Sequence, residues 1–303
     1  MKLGVDIGGT KTEAVAVDET GTIVQRLRLV TGFGHSAVAE TAVQAITGIA
    51  DLCALSPSEF TSIGIGIPGV VDGQSGRVSH AVNLGLDGFD LATEIRERLG
   101  ISVRIDNDVT AAAFGTYQFL QPGASMGYLN LGTGLAAGLV IDGKPWRGAR
   151  GGAGEIGHIP VDPNGAQCGC GQRGCLETVA SGSGIARQWQ SDDPYPVRAL
   201  FDAADAGDER AIEIRAGLAN GVASAVRLLI LTADVETIVI GGGLSHLGDQ
   251  LLSDVRDVLS GWAAASPFLA SLDLTSRVQL VPQGFPAAAV GAALIGGQLY
   301  EAV

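Results

Sequence analysis

Apolar residues in the first thirty positions come in short runs broken by turn-formers. Residues 3–7 and 13–17 read as strands, and Asp18-Glu19-Thr20-Gly21 turns the chain into a third strand at 23–29. Ala, Val and Ile then recur at helical spacing over 36–55, a buried strand returns at 62–67, and 91–99 is an amphipathic helix. A strand at 102–105 and an Ala-rich helix at 109–119 follow. Beyond the cysteines the pattern predicts helices at 176–189 and 211–233 and a strand at 236–240. A helix at 247–259, a strand at 277–281 and a closing helix at 287–300 complete it. Strands alternating with helices of this length indicate an α/β fold around a largely buried sheet.

The layout starts twice. Strand 128–131, a Gly132-Thr133-Gly134 turn, strand 136–141 and an Asp142-Gly143 turn repeat the order of the first two dozen residues. Val5-Asp6-Ile7-Gly8-Gly9-Thr10 lines up with Leu129-Asn130-Leu131-Gly132-Thr133-Gly134. This repetition implies two similar α/β lobes, each offering one hairpin turn to a shared cleft.

Composition changes this picture in one respect. The 303 residues include 45 glycines, which points to many turns and close backbone approaches. Net charge is −13, so long-range repulsion argues against a nucleic-acid partner. A bound nucleotide must then be held by local backbone dipoles and a cation. No basic stretch leading into an apolar run opens the chain, and no unbroken apolar run is long enough to span a bilayer, so a soluble cytoplasmic protein is expected.

Asp6-x-Gly8-Gly9-Thr10-Lys11 follows a buried strand. Its glycines let backbone N–H groups face a phosphate, Thr10 adds a hydroxyl, and Asp6 can hold hydrated Mg²⁺. Gly132-Thr133-Gly134 offers the same donors from the second lobe. Each hairpin alone is weak; in matching positions they favour a polyphosphate clamp. Two other matches are rejected. Gly64 to Gly69 spells a dinucleotide fingerprint but lies within a strand, and Pro68 opens no helix. Gly138 to Lys144 approaches a P-loop, but Pro145 replaces its Ser/Thr.

His158-x9-Cys168-x-Cys170-x4-Cys175 supplies one imidazole and three thiols, a donor set that suits tetrahedral Zn²⁺ with no position left for water. Such a zinc is structural. Cys53 lies on an apolar helix face and reads as core. Asp106-Asn107-Asp108 ends a strand and starts a helix, where Asp108 can serve as a base, or an Asp or Asn of this stretch can cap the helix. Glu155 and Glu177 flank the zinc segment and suit vicinal hydroxyls; Asn83 is a further polar candidate.

Together these motifs resemble the ROK family (repressors, open reading frames and sugar kinases) of the actin/hexokinase/Hsp70 superfamily. The resemblance rests on Asp6 to Lys11, Gly66-Ile67-Pro68-Gly69-Val70-Val71-Asp72, Asn107-Asp108, Leu131 to Gly134, Glu155-Ile156-Gly157-His158 and Cys168 to Glu177. It implies two ribonuclease-H-like lobes around a central cleft, with 1–118 plus 287–303 as the small lobe. Residues 119–286 would form the large lobe, carrying the zinc segment 158–175. It also implies ATP-dependent, Mg²⁺-assisted phosphorylation of a hexose at its primary hydroxyl, with glucose first. By resemblance Asp108 is the base. Gly69, Asn83, Asn107, Glu155, His158 and Glu177 bind the sugar, and His158 gives its other nitrogen to zinc. Gly8, Gly9, Thr10, Lys11, Gly132, Thr133 and Gly134 hold the phosphates, and Gly241, Gly242 and Gly243 lie against the nucleoside. A homodimer is also implied.

Two departures bear on substrate preference. Many relatives have Glu-Asn-Asp-Ala-Asn where this chain has Asp106-Asn107-Asp108-Val109-Thr110, and Gly-Gly where it has Ala136-Ala137. Kinases for N-acetylhexosamine, glucosamine or mannose are the alternatives, and polyphosphate is an alternative donor. A sugar-responsive repressor would need a helix-turn-helix before the first strand. An actin-like ATPase would leave the zinc ligands unexplained.

Overall fold

Alternation in Lys2–Ile7 (β1) sends Leu3, Val5 and Ile7 to one face of the sheet and Gly4 to the other. In this computed structural model, which describes residues 1–73 and 75–297, β1 pairs with Lys11–Val17 (β2), followed by Ile23–Val30 (β3) and helix His35–Leu52 (α1). Ser62–Ile67 (β4) leads to three short strands, Val70–Asp72 (β5), Arg77–Ser79 (β6) and Phe89–Asp90 (β7). Leu91–Leu99 (α2), Arg104–Asn107 (β8) and Asp108–Leu120 (α3) complete the first stretch.

Ser125–Leu131 (β9), Leu135–Ile141 (β10) and Lys144–Trp146 (β11) open the second stretch. Helices Gly182–Gln188 (α4), Pro196–Asp205 (α5) and Glu209–Ala233 (α6) precede Thr237–Gly241 (β12). Asp249–Ala265 (α7), Pro267–Ser271 (α8), Val278–Leu280 (β13) and Ala287–Ile295 (α9) finish it. Two five-stranded sheets have the matching orders β3-β2-β1-β4-β8 and β11-β10-β9-β12-β13, and β5-β6-β7 forms a small third sheet.

The chain divides into two compact units, Met1–Gln121 with Gly138–Ala153 and Gly284–Val303, and Pro122–Ala137 with Gly154–Gln283. In the first unit, α1 covers the face carrying Leu3, Val5 and Ile7, through Val38, Ala42, Ile46 and Ile49. Helix α9 covers the other face. A Cβ on Gly4 would lie 1.9 Å from the Ala289 carbonyl, and one on Gly64 1.9 Å from that of Ala292, so the helix backbone rests directly on the strands. Gly138 belongs to this unit for the same reason: any Cβ there would meet Val109 O and Ala113 Cβ, both at 2.6 Å.

In the second unit, β12 runs parallel to both β9 and β13. Helix α6 has an 18-residue window of mean hydropathy 1.5 and passes the length and composition test for a membrane span, but half of that window is buried inside the protein. Its buried residues, among them Leu218, Val222, Val226 and Leu229, make it a core helix.

Sequence and structure differ at several elements. The single helix expected over 176–189 is broken: a 3₁₀ turn covers Leu176–Thr178, and α4 starts afresh with Ser181 as N-cap, its Oγ accepting Gly184 N–H at 3.0 Å. The interruption arises because Gly182 N–H and Ser183 N–H donate to Gly132 O (2.9 Å) and Thr133 O (3.0 Å). Helix α5 and the strands β5–β7 and β11 are further elements that the apolar pattern does not announce. The expected closing helix is described to Ile295; its residues 298–300 lie outside the described residues.

Candidate active site

The first unit places Asp6, the first glycine turn, Gly69, Asn83, Asn107 and Asp108 around the ends of β1, β4 and β8. The Asp6 turn is closed by Gly8 N–H donating to Lys11 O at 2.9 Å and Thr31 N–H donating to Thr10 O at 3.1 Å. Gly9, Thr10 and Lys11 are exposed. Asn83 sits beside this turn: a Cβ on Gly9 would lie 3.4 Å from Asn83 Cβ. Asp6 carries a carboxyl pushed well above the usual range, by burial first and then by the negative charges of Asp108 and Glu13. A cation is the natural relief for such a site.

Asp108 is the first residue of α3, and the structure settles which neighbour caps the helix. Asn107 Oδ1 accepts Val109 N–H at 2.9 Å and Thr110 N–H at 3.0 Å, making it the N-cap. Its Nδ2 donates to Gly69 O at 3.1 Å. Gly69 has φ +101°, and a Cβ there would meet Ser79 O at 2.6 Å, so β6 leaves no room for a side chain at this position. Gly66 lies 3.4 Å (ideal Cβ) from Asp108 Cα, which sets the helix start against β4. Asp108 also accepts Val109 N–H at 2.9 Å through Oδ1. The carboxylate therefore leaves a strand-to-helix junction fixed on three sides.

The second unit brings together His158, Cys168, Cys170, Cys175 and Glu177. The four donor atoms of the His/Cys set lie within 4.8 Å of one another. Cys168 Sγ is 3.7 Å from His158 Nδ1, and Cys170 Sγ is 3.6 Å from Cys175 Sγ. A disulfide would need about 2.05 Å; a tetrahedron with ~2.3 Å metal–sulfur bonds has edges of about 3.7 Å. The donor chemistry agrees. Backbone and side-chain hydrogen bonds from Gln172 lower the Cys170 thiol to about 6. Burial, then sharing with Cys170 and Cys168, pushes Cys175 up to about 12. Three thiolates coexist here once a cation compensates them, so the cluster fits a tetrahedral metal. With Nδ1 turned to Cys168, the other ring nitrogen of His158 is left for a different partner.

Glu177 and the second glycine turn are joined. Glu177 Oε2 accepts Leu135 N–H at 3.1 Å, and Oε1 lies 3.8 Å from Cys168 Sγ. Gly132 N–H donates to Gly134 O at 3.0 Å within the turn. Glu155 is exposed at the start of the 3₁₀ turn Ile156–His158, and its carbonyl accepts His158 N–H at 3.2 Å. Gly157 is packed so closely that a Cβ would lie 2.0 Å from Leu135 O. Gly241 and Gly242 end β12; a Cβ on Gly241 would strike Tyr128 Oη at 2.0 Å, and Gly242 has φ +82° beside Leu131 O. Gly243 opens a 3₁₀ turn whose Cβ direction meets no atom within 4 Å.

Asn107 is the cap that the residue pattern before the helix allows. Two features escape the sequence pattern: the Glu177–Leu135 bond and a part-buried ion pair between Asp106 and Arg147. Both join residues far apart in the chain, and no local spacing marks them.

Comparisons with known proteins place this architecture of two like five-stranded sheets among sugar kinases. The profile of the ROK family matches residues 2–296. A glucokinase from Halalkalibacterium halodurans is 34% identical over 282 residues, 86% of each chain. An N-acetylmannosamine kinase from Yersinia pseudotuberculosis is 32% identical over 247 residues, covering 80% of this chain and 82% of that one. Among solved structures, a ROK family glucokinase from Streptomyces griseus in complex with glucose and AMPPNP superposes with a TM-score of 0.81. It is 30% identical, and the match covers 97% of this chain and 98% of that one. The chain belongs to the ROK family, with the actin/hexokinase-like fold of its members.

Proposed function

We propose that this protein transfers the γ-phosphoryl group of ATP to the primary hydroxyl of a hexose, glucose in first place. That it is an ATP-dependent hexose kinase follows from its family and from relatives matched across most of its length; the acceptor, the residue roles and the metals are our reading. One observation carries that reading. Asp108 stands on a rigid strand-to-helix junction in the same unit as the Asp6 turn, near enough for its charge to raise the Asp6 carboxyl.

In this reading Asp108 orients the sugar hydroxyl and takes its proton as the P–O bond forms. A loose phosphoryl-transfer transition state asks for positioning more than for a strong base. Glu155, Glu177 and the free nitrogen of His158 bind sugar hydroxyls, with Asn83, Asn107 and Gly69 O on the acceptor side. The two turns, Gly8 to Lys11 and Gly132 to Gly134, receive the phosphates, and Gly241 to Gly243 the nucleoside. Asp6 would hold Mg²⁺, which neutralises phosphate charge when bound. His158, Cys168, Cys170 and Cys175 would hold a structural Zn²⁺, which fixes the loop between Glu155 and Glu177. The enzyme is taken as cytoplasmic and as a homodimer, without nucleic-acid or membrane partners.

Glucose is favoured over N-acetylmannosamine because glucokinase relatives match at 34% over a larger share of the chain than the 32% match. An ADP-release assay across glucose, mannose, glucosamine and N-acetyl sugars tests this. Highest kcat/KM with glucose is expected; a tenfold preference for an N-acetyl sugar would overturn it.

A further inference from the structure

Asp106, the residue before Asn107-Asp108, is 4% exposed. A carboxylate that buried demands a partner, and Arg147 supplies a fork. Arg147 Nε donates to Oδ2 at 3.0 Å and to Oδ1 at 3.3 Å, and Nη2 donates to Oδ2 at 2.5 Å. Its Nη1 donates to Pro145 O at 3.2 Å, a further hold on the guanidinium. Asp106 Oδ1 also accepts Asn107 N–H at 2.9 Å.

The location gives this pair its meaning. Among the described residues β8 is the last strand of its sheet and pairs along one edge, to β4, with Asp106 opposite Gly66. Its end is therefore held by side chains: Asn107 reaches Gly69 in one direction, and Arg147 grips Asp106 in another. Arg147 O accepts Ala153 N–H at 3.2 Å, closing the glycine-rich loop that runs on into Gly154-Glu155. One arginine thus ties the strand end that launches Asp108 to the loop 147–153.

We infer that Arg147, acting through Asp106, is a positioning residue for phosphoryl transfer: it sets where the Asp108 carboxylate stands. This rests on the assignment of Asp108 as the base. The rival is a pair that merely stabilises the fold. A buried ion pair exchanged for apolar residues of similar volume often leaves stability unchanged or higher, whereas misplacing a reacting group by 1 Å can cost on the order of a hundredfold in rate. The two roles therefore separate in a double variant.

The test measures kcat, both KM values and Tm for the full chain as wild type, Arg147→Lys, Arg147→Met, Asp106→Leu/Arg147→Met and Asp108→Asn. Arg147→Met is expected to lower kcat at least ~10-fold with KM for ATP within about twofold. The double variant is expected to regain Tm but not kcat. Arg147→Lys keeps the charge but cannot form the fork, and should lose at least about threefold in kcat; it decides the matter if the uncharged variants do not fold. A kcat in Arg147→Lys less than threefold below wild type, or recovery of kcat with Tm in the double variant, overturns the inference. Near-normal turnover by Asp108→Asn would instead overturn the base assignment itself. An inactive Asp108→Asn beside unaffected Arg147 variants would remove the positioning role alone.

Discussion

Glu177 Oε2 accepts the backbone N–H of Leu135 at 3.1 Å, so a carboxylate two residues past the last cysteine of the His/Cys cluster is bonded to the strand leaving the second glycine turn. Its other oxygen lies 3.8 Å from Cys168 Sγ. The cysteine-bearing loop and the turn are thus joined. The α4 start adds to this link, through Gly182 and Ser183 bonded to Gly132 and Thr133.

Gly134→Ala tests that link. The new Cβ would fall 2.4 Å from Glu177 Oε2, forcing the carboxylate off Leu135. A hydrogen bond to a charged group is worth about 1.5–3 kcal/mol, so KM for ATP should rise about tenfold or more. Steady-state kinetics with ATP varied should show this; an unchanged KM for ATP would mean that the turn does not meet phosphate.

Removing one thiol should expose the role of the metal. Wild-type protein is expected to contain about one equivalent of zinc, and Cys175→Ser below about half an equivalent, with Tm lower by about 5 °C or more. Elemental analysis and thermal unfolding give both numbers. Full stability with no metal in the wild type would refute a structural site.

The Asp6 carboxyl makes a prediction with a definite sign. Burial, Asp108 and Glu13 raise it, so the folded chain binds this proton more tightly than the unfolded chain. Stability is therefore lost as pH rises from the ordinary carboxylate range, near ~4, through the raised folded value, and stays lost above it. Asp6→Asn should then melt higher than wild type at pH 7 to 8, with the gap closing toward about pH 4. The same variant should be nearly inactive. A wild type more stable than Asp6→Asn at neutral pH would contradict the placement of Asp6.

Much of this was readable from residue order, and the rest was not for identifiable reasons. The repeat of Val5 to Thr10 at Leu129 to Gly134 foretold two sheets of like order, because a strand-turn-strand unit is local. The His/Cys set was legible because soft donors at short spacing have few other uses in one loop. The break between Leu176 and Gly182 was hidden: the apolar positions suit a helix, and what interrupts it is a bond to Gly132, far away in sequence. Strands β5 to β7 are too short to show alternation, yet β6 packs so closely on Gly69 that no side chain fits there. The pairing of Asp106 with Arg147 was equally invisible, since it depends on where β8 ends.

The most direct measurement is kcat for Asp108→Asn with sugar affinity determined in parallel by calorimetry. The variant should bind glucose within about threefold of wild type while kcat falls at least ~100-fold, the scale expected when a general base is removed. Turnover within a few fold of wild type, with binding intact, would contradict the assignment of Asp108 as the group that receives the sugar's proton.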